Sequence, residues 1–219
     1  MTEKIKILLV DDHHMILEGY KNVILRNTFN DLKIEIDTAN SCDHAYEKIR
    51  INEYNLVLLD INFPINPDSK FLSGEDLGIW LKKEYKTTKL MILTVLEDPF
   101  RLNNILINVK PDGFLLKGET TSQELINGIE KVLFSPPYFG PKISKILLST
   151  TIHSYSLDEK DRIILYQLSL GIKTKNLPSY VHLSLRAIEN RKKRLKEIFN
   201  ISGENNTDLL EKARESGYI

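Results

Sequence analysis

Five residues of this 219-residue chain share one setting: Asp11, Asp12, Asp60, Thr94 and Lys117 each follow closely on a short apolar run. The runs are 7–10, 56–59, 90–93 and 114–116. Carboxylates brought together repel one another and call for a cation between them. So few oxygen donors suit Mg²⁺, which keeps several of its waters. A carboxylate beside such a cation is a nucleophile toward phosphorus and yields an aspartyl phosphate. Asp60 is the candidate nucleophile, because in the stretch YNLVLLDINFP it ends the apolar run 56–59 and opens a polar loop. Lys117 would neutralise phosphoryl oxygens, and the Thr94 hydroxyl would donate to one. Taken singly, each is an ordinary turn starter; taken together they describe a site.

They meet only if the runs are neighbouring parallel strands, whose carboxyl ends share one edge of a sheet. Residues 56–59 are apolar without alternation, as in a strand covered on both faces. The segment 34–37 (IEID) alternates and suits an edge strand with one wet face. Between the runs, apolar residues recur at helical spacing: Met15, Tyr20 and Ile24; Ala45 and Ile49 after a capping Ser41; Leu77, Trp80 and Leu81; Leu102, Ile105 and Val109; Leu125, Ile129 and Val132 after Thr121 or Ser122. Five strands alternating with five helices predict an α/β fold, a doubly wound five-stranded parallel sheet spanning 1–134. Ser135-Pro136-Pro137 ends it, since consecutive prolines cannot continue a helix. Residues 135–155 read as a linker with room for one short helix.

Composition fits a soluble globular protein, with 42% hydrophobic and 27% charged residues. One cysteine, Cys42, excludes an internal disulfide and suits a reducing compartment. No apolar run nears the roughly 18 residues of a membrane span, and a strand-like start leaves no room for a signal peptide. The expected location is cytoplasmic, with no membrane partner. Net charge is zero, but unevenly spread: 18 Lys+Arg against 21 Asp+Glu in 1–154, and 12 against 9 in 155–219. The basic part is a candidate for a polyanion.

That part, 156–219, reads as all-helical. Ser156 with Glu159 forms a capping box before Ile163, Ile164 and Leu168, and Gly171 ends the helix. A second helix begins near Asn176, the expected cap, since Pro178 fits only a first turn. Ser184 caps a third helix reaching Phe199, and Thr207 a fourth that stops at Gly217. Two helices joined by a tight turn make the helix-turn-helix pattern. From Arg186 to Lys196 lie six cations (Arg186, Arg191, Lys192, Lys193, Arg194, Lys196) and one anion, Glu189. Ile188, Leu195 and Phe199 form the buried stripe, with Arg186, Asn190, Lys193 and Glu197 opposite. A charged outer face is often only a solvated face; on the second helix of this motif it also suits the DNA major groove. Asn190 and Lys193 are expected to influence sequence preference, Lys192 and Arg194 to touch phosphates. Glu189 either accepts from a cytosine amino group or pairs with Lys193 at i+4, and the sequence favours the pairing.

The residues Asp11, Asp12, Asp60, Thr94 and Lys117 resemble the receiver domain of two-component response regulators over about 4–134. That resemblance implies Asp60 as phosphoacceptor, Mg²⁺ held by Asp11, Asp12, Asp60 and the Asn62 backbone carbonyl, and Phe114 as a switch aromatic. The segment Gly171…Leu183-Ser184…Ala187-Ile188-Glu189-Asn190 with Leu195 is similar to the LuxR/NarL-type output domain over about 156–219. Together they imply a transcription regulator, phosphorylated by a sensor histidine kinase or small phosphodonor, that binds double-stranded DNA and pairs as a homodimer. Pairing is expected through the last receiver helix, where Gln123 and Asn127 face out, or through the final helix. Two departures stand out: the loop 65–73 is longer than usual for the family, and Val95 follows Thr94 where a small residue is usual. No enzymatic activity beyond self-phosphorylation and autodephosphorylation is expected. Two rivals differ in class. A Mg²⁺-dependent phosphatase would release phosphate from an added substrate over many turnovers. A protein-interaction module would lack salt-dependent affinity for duplex DNA.

Overall fold

The computed structural model describes residues 4–27, 32–64, 66, 68–149, 157–201, 203, 205–216 and 218–219. Contacts divide the chain into two compact units, one of Met1–Glu97 with Ile105–Thr150 and one of Asp98–Asn104 with Thr151–Ile219.

The first unit is built on a parallel sheet of order β2-β1-β3-β4-β5-β6. Its strands are β1 (Lys4–Val10), β2 (Lys33–Ala39), β3 (Leu56–Leu59), β4 (Lys89–Thr94), β5 (Gly113–Leu116) and β6 (Tyr138–Phe139). Between them run α1 (His14–Leu25), α2 (Cys42–Ile51), α3 (Gly74–Glu84), α4 (Pro99–Val109), whose residues up to Asn104 count with the second unit, and α5 (Ser122–Phe134). Every residue of β3 and β5 is buried, which is why their sequences are continuous apolar runs and not alternating ones. β2 lies at an edge, as its alternation predicts, but is half-buried along most of its length and does not alternate between a buried and a wet face. Ser41 and Thr121 accept from the backbone N–H groups of His44 and Glu124, fixing the starts of α2 and α5. Ile7, Leu9, Leu58, Met91, Leu115 and Ile129 form part of one continuous core beneath α1 and α5.

The sheet has six strands where the sequence led us to expect five. Residues read as linker supply β6 and then α6 (Pro141–Ser149). Tyr138 N donates to Asp112 O and Gly140 N to Phe114 O, both at 2.9 Å. Ile143 is fully buried, so this segment covers β5. A two-residue strand after a proline pair carries no periodicity, and periodicity is what a sequence reading relies on.

The second unit contains α7 (Glu159–Ser169), a 3₁₀ turn (Thr174–Asn176), α8 (Pro178–Val181), α9 (Leu185–Ile198) and α10 (Asn206–Glu215). Ile164, Leu168, Val181, Ile188, Leu195 and Leu209 are among its core residues. Three expected caps differ. The capping box on α7 uses Asp158 and Asp161, two residues later than Ser156 with Glu159; Ser156 lies outside the described residues. α8 starts at Pro178 behind Leu177, while Asn176 closes the 3₁₀ turn. α10 is preceded by Asn205, with Thr207 already inside it. Asp and Asn compete with Ser and Thr for such positions, and tertiary contacts choose among adjacent candidates. Ser184 caps α9 as expected, its Oγ accepting from Ala187 N. Gly171, at φ +80°, ends the α7 segment in a conformation that favours glycine. Gly217 lies outside the described residues. No helix among the described residues is long and apolar enough to cross a membrane.

Candidate functional site

The carboxyl ends of β1, β3, β4 and β5 bring together what the sequence placed there. Asp11 and Asp60 are buried, and Asp60 N donates to Val10 O at 2.9 Å, holding the two strand ends side by side. Lys117 follows β5, and its Nζ lies 2.6 Å from Asp11 Oδ2 and 2.5 Å from Asp60 Oδ2. Its ammonium therefore bridges both carboxylates. Burial alone would lower the Lys117 pKa, but the hydrogen bonds to Asp11 and Asp60 outweigh it and raise the group above its usual value. Burial pushes the Asp60 carboxyl above the usual carboxylate range, against the opposing pull of Lys117. Thr94 is fully buried at the end of β4, its Oγ1 accepting from Leu96 N at 3.2 Å. Phe114 is fully buried in β5. Asn62 N donates to Asp60 Oδ1 at 3.1 Å. Val95 is 60% exposed and takes no place in the core.

Asp11, Asp12 and His13 offer ligand atoms that all lie within 4.8 Å of one another. Asp12 Oδ1 is buried and has no hydrogen bond. His13 Nδ1 approaches it to 2.8 Å without hydrogen-bond geometry. A buried carboxylate oxygen without a hydrogen bond, beside a second carboxylate, fits a hard divalent cation. Asp60 reaches this group by facing Asp11 across Lys117, outside the tight donor cluster itself.

Three participants were not read from the sequence. His13 sits among the carboxylates, as just described. Tyr20, assigned only to an apolar helix face, lines a small cavity with Asp11 and Asp60, and burial raises its phenol pKa. Gly74 opens α3 so close to the site that a Cβ there would fall 2.3 Å from Asp60 O. Its position after the capping Ser73 was the available signal.

Lys70 and Phe71, toward the end of the long loop, pack on residues of α2 and α3. Lys70 Nζ lies 3.8 Å from the Tyr46 ring centroid and donates to Tyr46 Oη at 2.7 Å. Phe71, buried, packs with Tyr46 and Trp80 at centroid distances of 5.6 and 5.8 Å. A cleft of about 170 Å³ opens between this loop and the start of α2, lined by Asp12, Ser41, Asp43, Pro64, Asn66 and Phe71 among others. Cys42 also lines it, its thiol pushed up to about 12 by burial and so unreactive. Ile65 and Pro67 lie outside the described residues.

On α9, Arg186, Glu189, Asn190, Lys193 and Glu197 are exposed, the face expected from the periodicity. The remaining cations are engaged. Arg191 binds Asp158 at 2.9 Å and Asp161 at 2.7 Å, and Arg194 lies 3.3 Å from Asp161. Burial would raise the Asp158 carboxyl, but the Asp161 backbone and Arg191 hold it below the usual range. Lys192, expected on phosphates, is only 9% exposed; its Nζ donates to Thr174 Oγ1 at 2.8 Å and to Glu189 Oε2 at 3.3 Å. Glu189 thus pairs at i+3 with Lys192, and not with Lys193 at i+4. The inward turn of Lys192 toward the 3₁₀ turn brings its ammonium past the Glu189 carboxylate. Lys196 is half-buried.

Comparison with known proteins gives a consistent picture. The model of the response regulator receiver domain matches residues 7–130. The chain is similar to the oxygen regulatory protein NreC of Staphylococcus carnosus, 21% identical over 208 residues, covering 90% of this chain and 91% of that protein. It is also similar to the transcriptional regulatory protein YdfI of Bacillus subtilis, 25% identical over 222 residues, covering 98% and 97%. Among solved structures, RcsB of Salmonella enterica serovar Typhimurium, bound to promoter rprA with a phosphomimetic, matches at TM-score 0.68 and 16% identity, covering 96% of this chain and 98% of that one.

Proposed function

Since this chain belongs to the family of response regulator receiver domains, we propose that it is a phosphorylation-controlled, DNA-binding transcription regulator of a two-component system. We assign 1–134 to the receiver and 156–219 to the output domain, with the β6–α6 segment attached to the receiver. The observation that carries this reading is the bridging of Asp11 and Asp60 by Lys117 at the strand ends, beside buried Thr94.

Asp60 is the nucleophile. One of its carboxylate oxygens attacks the phosphorus of a phosphohistidine or small phosphodonor. The P–N or P–O bond to the leaving group breaks, and its electron pair departs with that group, which takes up a proton from solvent. A Mg²⁺ ion held by Asp11, Asp12, Asp60 and the Asn62 carbonyl supplies charge neutralisation when bound. Lys117, already on Asp60, is placed to follow the negative charge onto the phosphoryl oxygens. Thr94 exchanges its contact with Leu96 N for one to the phosphoryl group, and Phe114 responds as the switch aromatic. Water attack on the same phosphorus returns Asp60 and inorganic phosphate, the autodephosphorylation that limits the signal. The chain acts on no separate substrate and works in the cytoplasm.

The output helix is α9. Its exposed Arg186, Asn190 and Lys193 support insertion into the major groove of duplex DNA. Lys196 adds a phosphate contact, while Arg191 and Arg194 join it at the expense of their pairs on α7. Phosphorylation favours a homodimer and thereby tighter binding to the operator.

Phosphodonor labelling in Mg²⁺, read by intact mass, tests the site. The parent should gain one phosphoryl group, and Asp60→Asn should gain none. Asp12→Ala and added EDTA should suppress labelling through loss of the cation. Undiminished labelling of Asp60→Asn would refute the assignment.

A further inference from the structure

Glu189 is the one anion among six cations between Arg186 and Lys196, and its surroundings hold it in place. Its side chain is 53% exposed. Oε2 accepts from Lys192 Nζ at 3.3 Å, and the same ammonium donates to Thr174 Oγ1 at 2.8 Å. The Lys192 residue is nearly buried. This chain of contacts ties the 3₁₀ turn to α9 and fixes one oxygen of the carboxylate. The other, Oε1, has no hydrogen bond among the described residues.

A carboxylate on a face that meets a polyanion lowers affinity, because it repels phosphates that neighbouring cations attract. The loss is recovered only where a base edge offers a donor. In the major groove guanine presents two acceptors, O6 and N7, which a carboxylate cannot use. Adenine pairs its amino group with the N7 acceptor beside it, and thymine offers an acceptor and a methyl group. Cytosine's amino group faces an acceptor on one side only, the O6 of its paired guanine, and the bare C5 edge lies on the other. An anchored carboxylate therefore selects cytosine and rejects guanine, by attraction in one case and repulsion in the other.

We propose that Glu189, held in register by Lys192 and Thr174, reads a cytosine in the major groove and is a specificity-determining residue of this protein. The proposal rests on the reading of α9 as the DNA-reading helix. Lys192 is a positioning residue and touches no base.

The test is competitive selection from duplexes with a randomised central stretch, using the full-length protein treated with Mg²⁺ and a small phosphodonor. The parent should enrich sites with a cytosine at one position of each half-site, and guanine there should weaken binding about 5- to 150-fold. Glu189→Gln should move that preference to adenine, which the amide contacts bidentately. Glu189→Ala should lose the preference there and bind unrelated duplex more tightly than the parent. Lys192→Met keeps the buried stem and removes the cation. It should blunt the preference at that same position and no other, whereas a purely structural role would weaken every position alike. Glu189→Ala and Glu189→Gln variants that enrich the parent's sites would overturn the proposal and leave the DNA-reading helix standing. A parent that enriches no duplex would overturn both.

Discussion

Lys117 illustrates how one residue organises the site. Its ammonium is buried between two buried carboxylates, so removing it would leave Asp11 and Asp60 facing each other without compensation. Breaking a buried pair in this way typically costs about 3–5 kcal/mol. Lys117→Met should lower stability by about that amount at neutral pH without Mg²⁺, and added Mg²⁺ should recover part of it. The pH dependence has a definite sign. The folded-state value is raised above 10.5, so the stabilisation is fully present below 10.5 and is lost as pH rises through the raised value. Urea unfolding of parent and variant from neutral to strongly alkaline pH should show a constant gap that closes only above that range. A gap that closed between pH 7 and 9 would contradict the assignment. Asp60 carries the opposing tendency: burial disfavours its charged form, which is the state a cation or Lys117 must stabilise.

At the scale of elements, α3 is set by how closely its first residue approaches β3. Gly74 N donates to Ile61 O at 3.2 Å, and a Cβ would meet Asp60 O at 2.3 Å and Ile61 Cα at 2.8 Å. Those neighbours are backbone atoms that cannot rotate aside. Gly74→Ala should therefore displace the start of α3 or the Asp60 strand end, costing about 1–3 kcal/mol as overpacking does. Because the displaced backbone carries Asp60, the variant should also label more slowly with a small phosphodonor. Gly19→Ala, inside α1 with open space around its Cβ position, is the control and should raise stability by about 0.5–1 kcal/mol while leaving labelling unchanged. Equal behaviour of the two variants in melting and labelling would contradict this account. In the adjoining loop, Lys70 rests on the Tyr46 ring and Phe71 against Trp80.

For the whole molecule, the proposed function requires that phosphorylation at Asp60 be felt at α9. One helix-turn-helix reads one half-site, and a symmetric pair reads two. Coupling two such contacts makes the second intramolecular and can raise affinity by about 10²–10⁴ without any new kind of contact. Phosphorylated protein should therefore double its solution mass and tighten on a two-half-site operator by a factor in that range. Gln123 and Asn127 are exposed on α5 and hydrogen-bonded to each other at 3.0 Å, which makes that face the first to probe for pairing. Tighter binding by a protein that stays monomeric, with one chain per site, would mean that release of the output domain is the mechanism instead. Sizing chromatography and operator titration on one phosphorylated sample decide between them.

The sequence by itself determined the parallel sheet with its helices and the five polar residues at its strand ends. Fully buried strands must be apolar throughout, and a parallel sheet leaves its polar chemistry at their carboxyl ends. It also determined the outward face of α9, because helical spacing separates Ile188 and Leu195 from Asn190 and Lys193. Tertiary structure alone decided the rest. β6 exists because β5 has an open edge to fill, and two residues carry no period of their own. Tyr20 joins the site through a position that only the assembled fold creates, whereas His13 stands next to Asp12 in the chain itself. The cations of α9 look alike in sequence, yet Arg191 and Lys192 turn inward to Asp161 and Thr174, more than 15 residues away along the chain. Which charges remain for a polyanion depends on partners that lie close in space and far apart in sequence, and a local pattern cannot encode those.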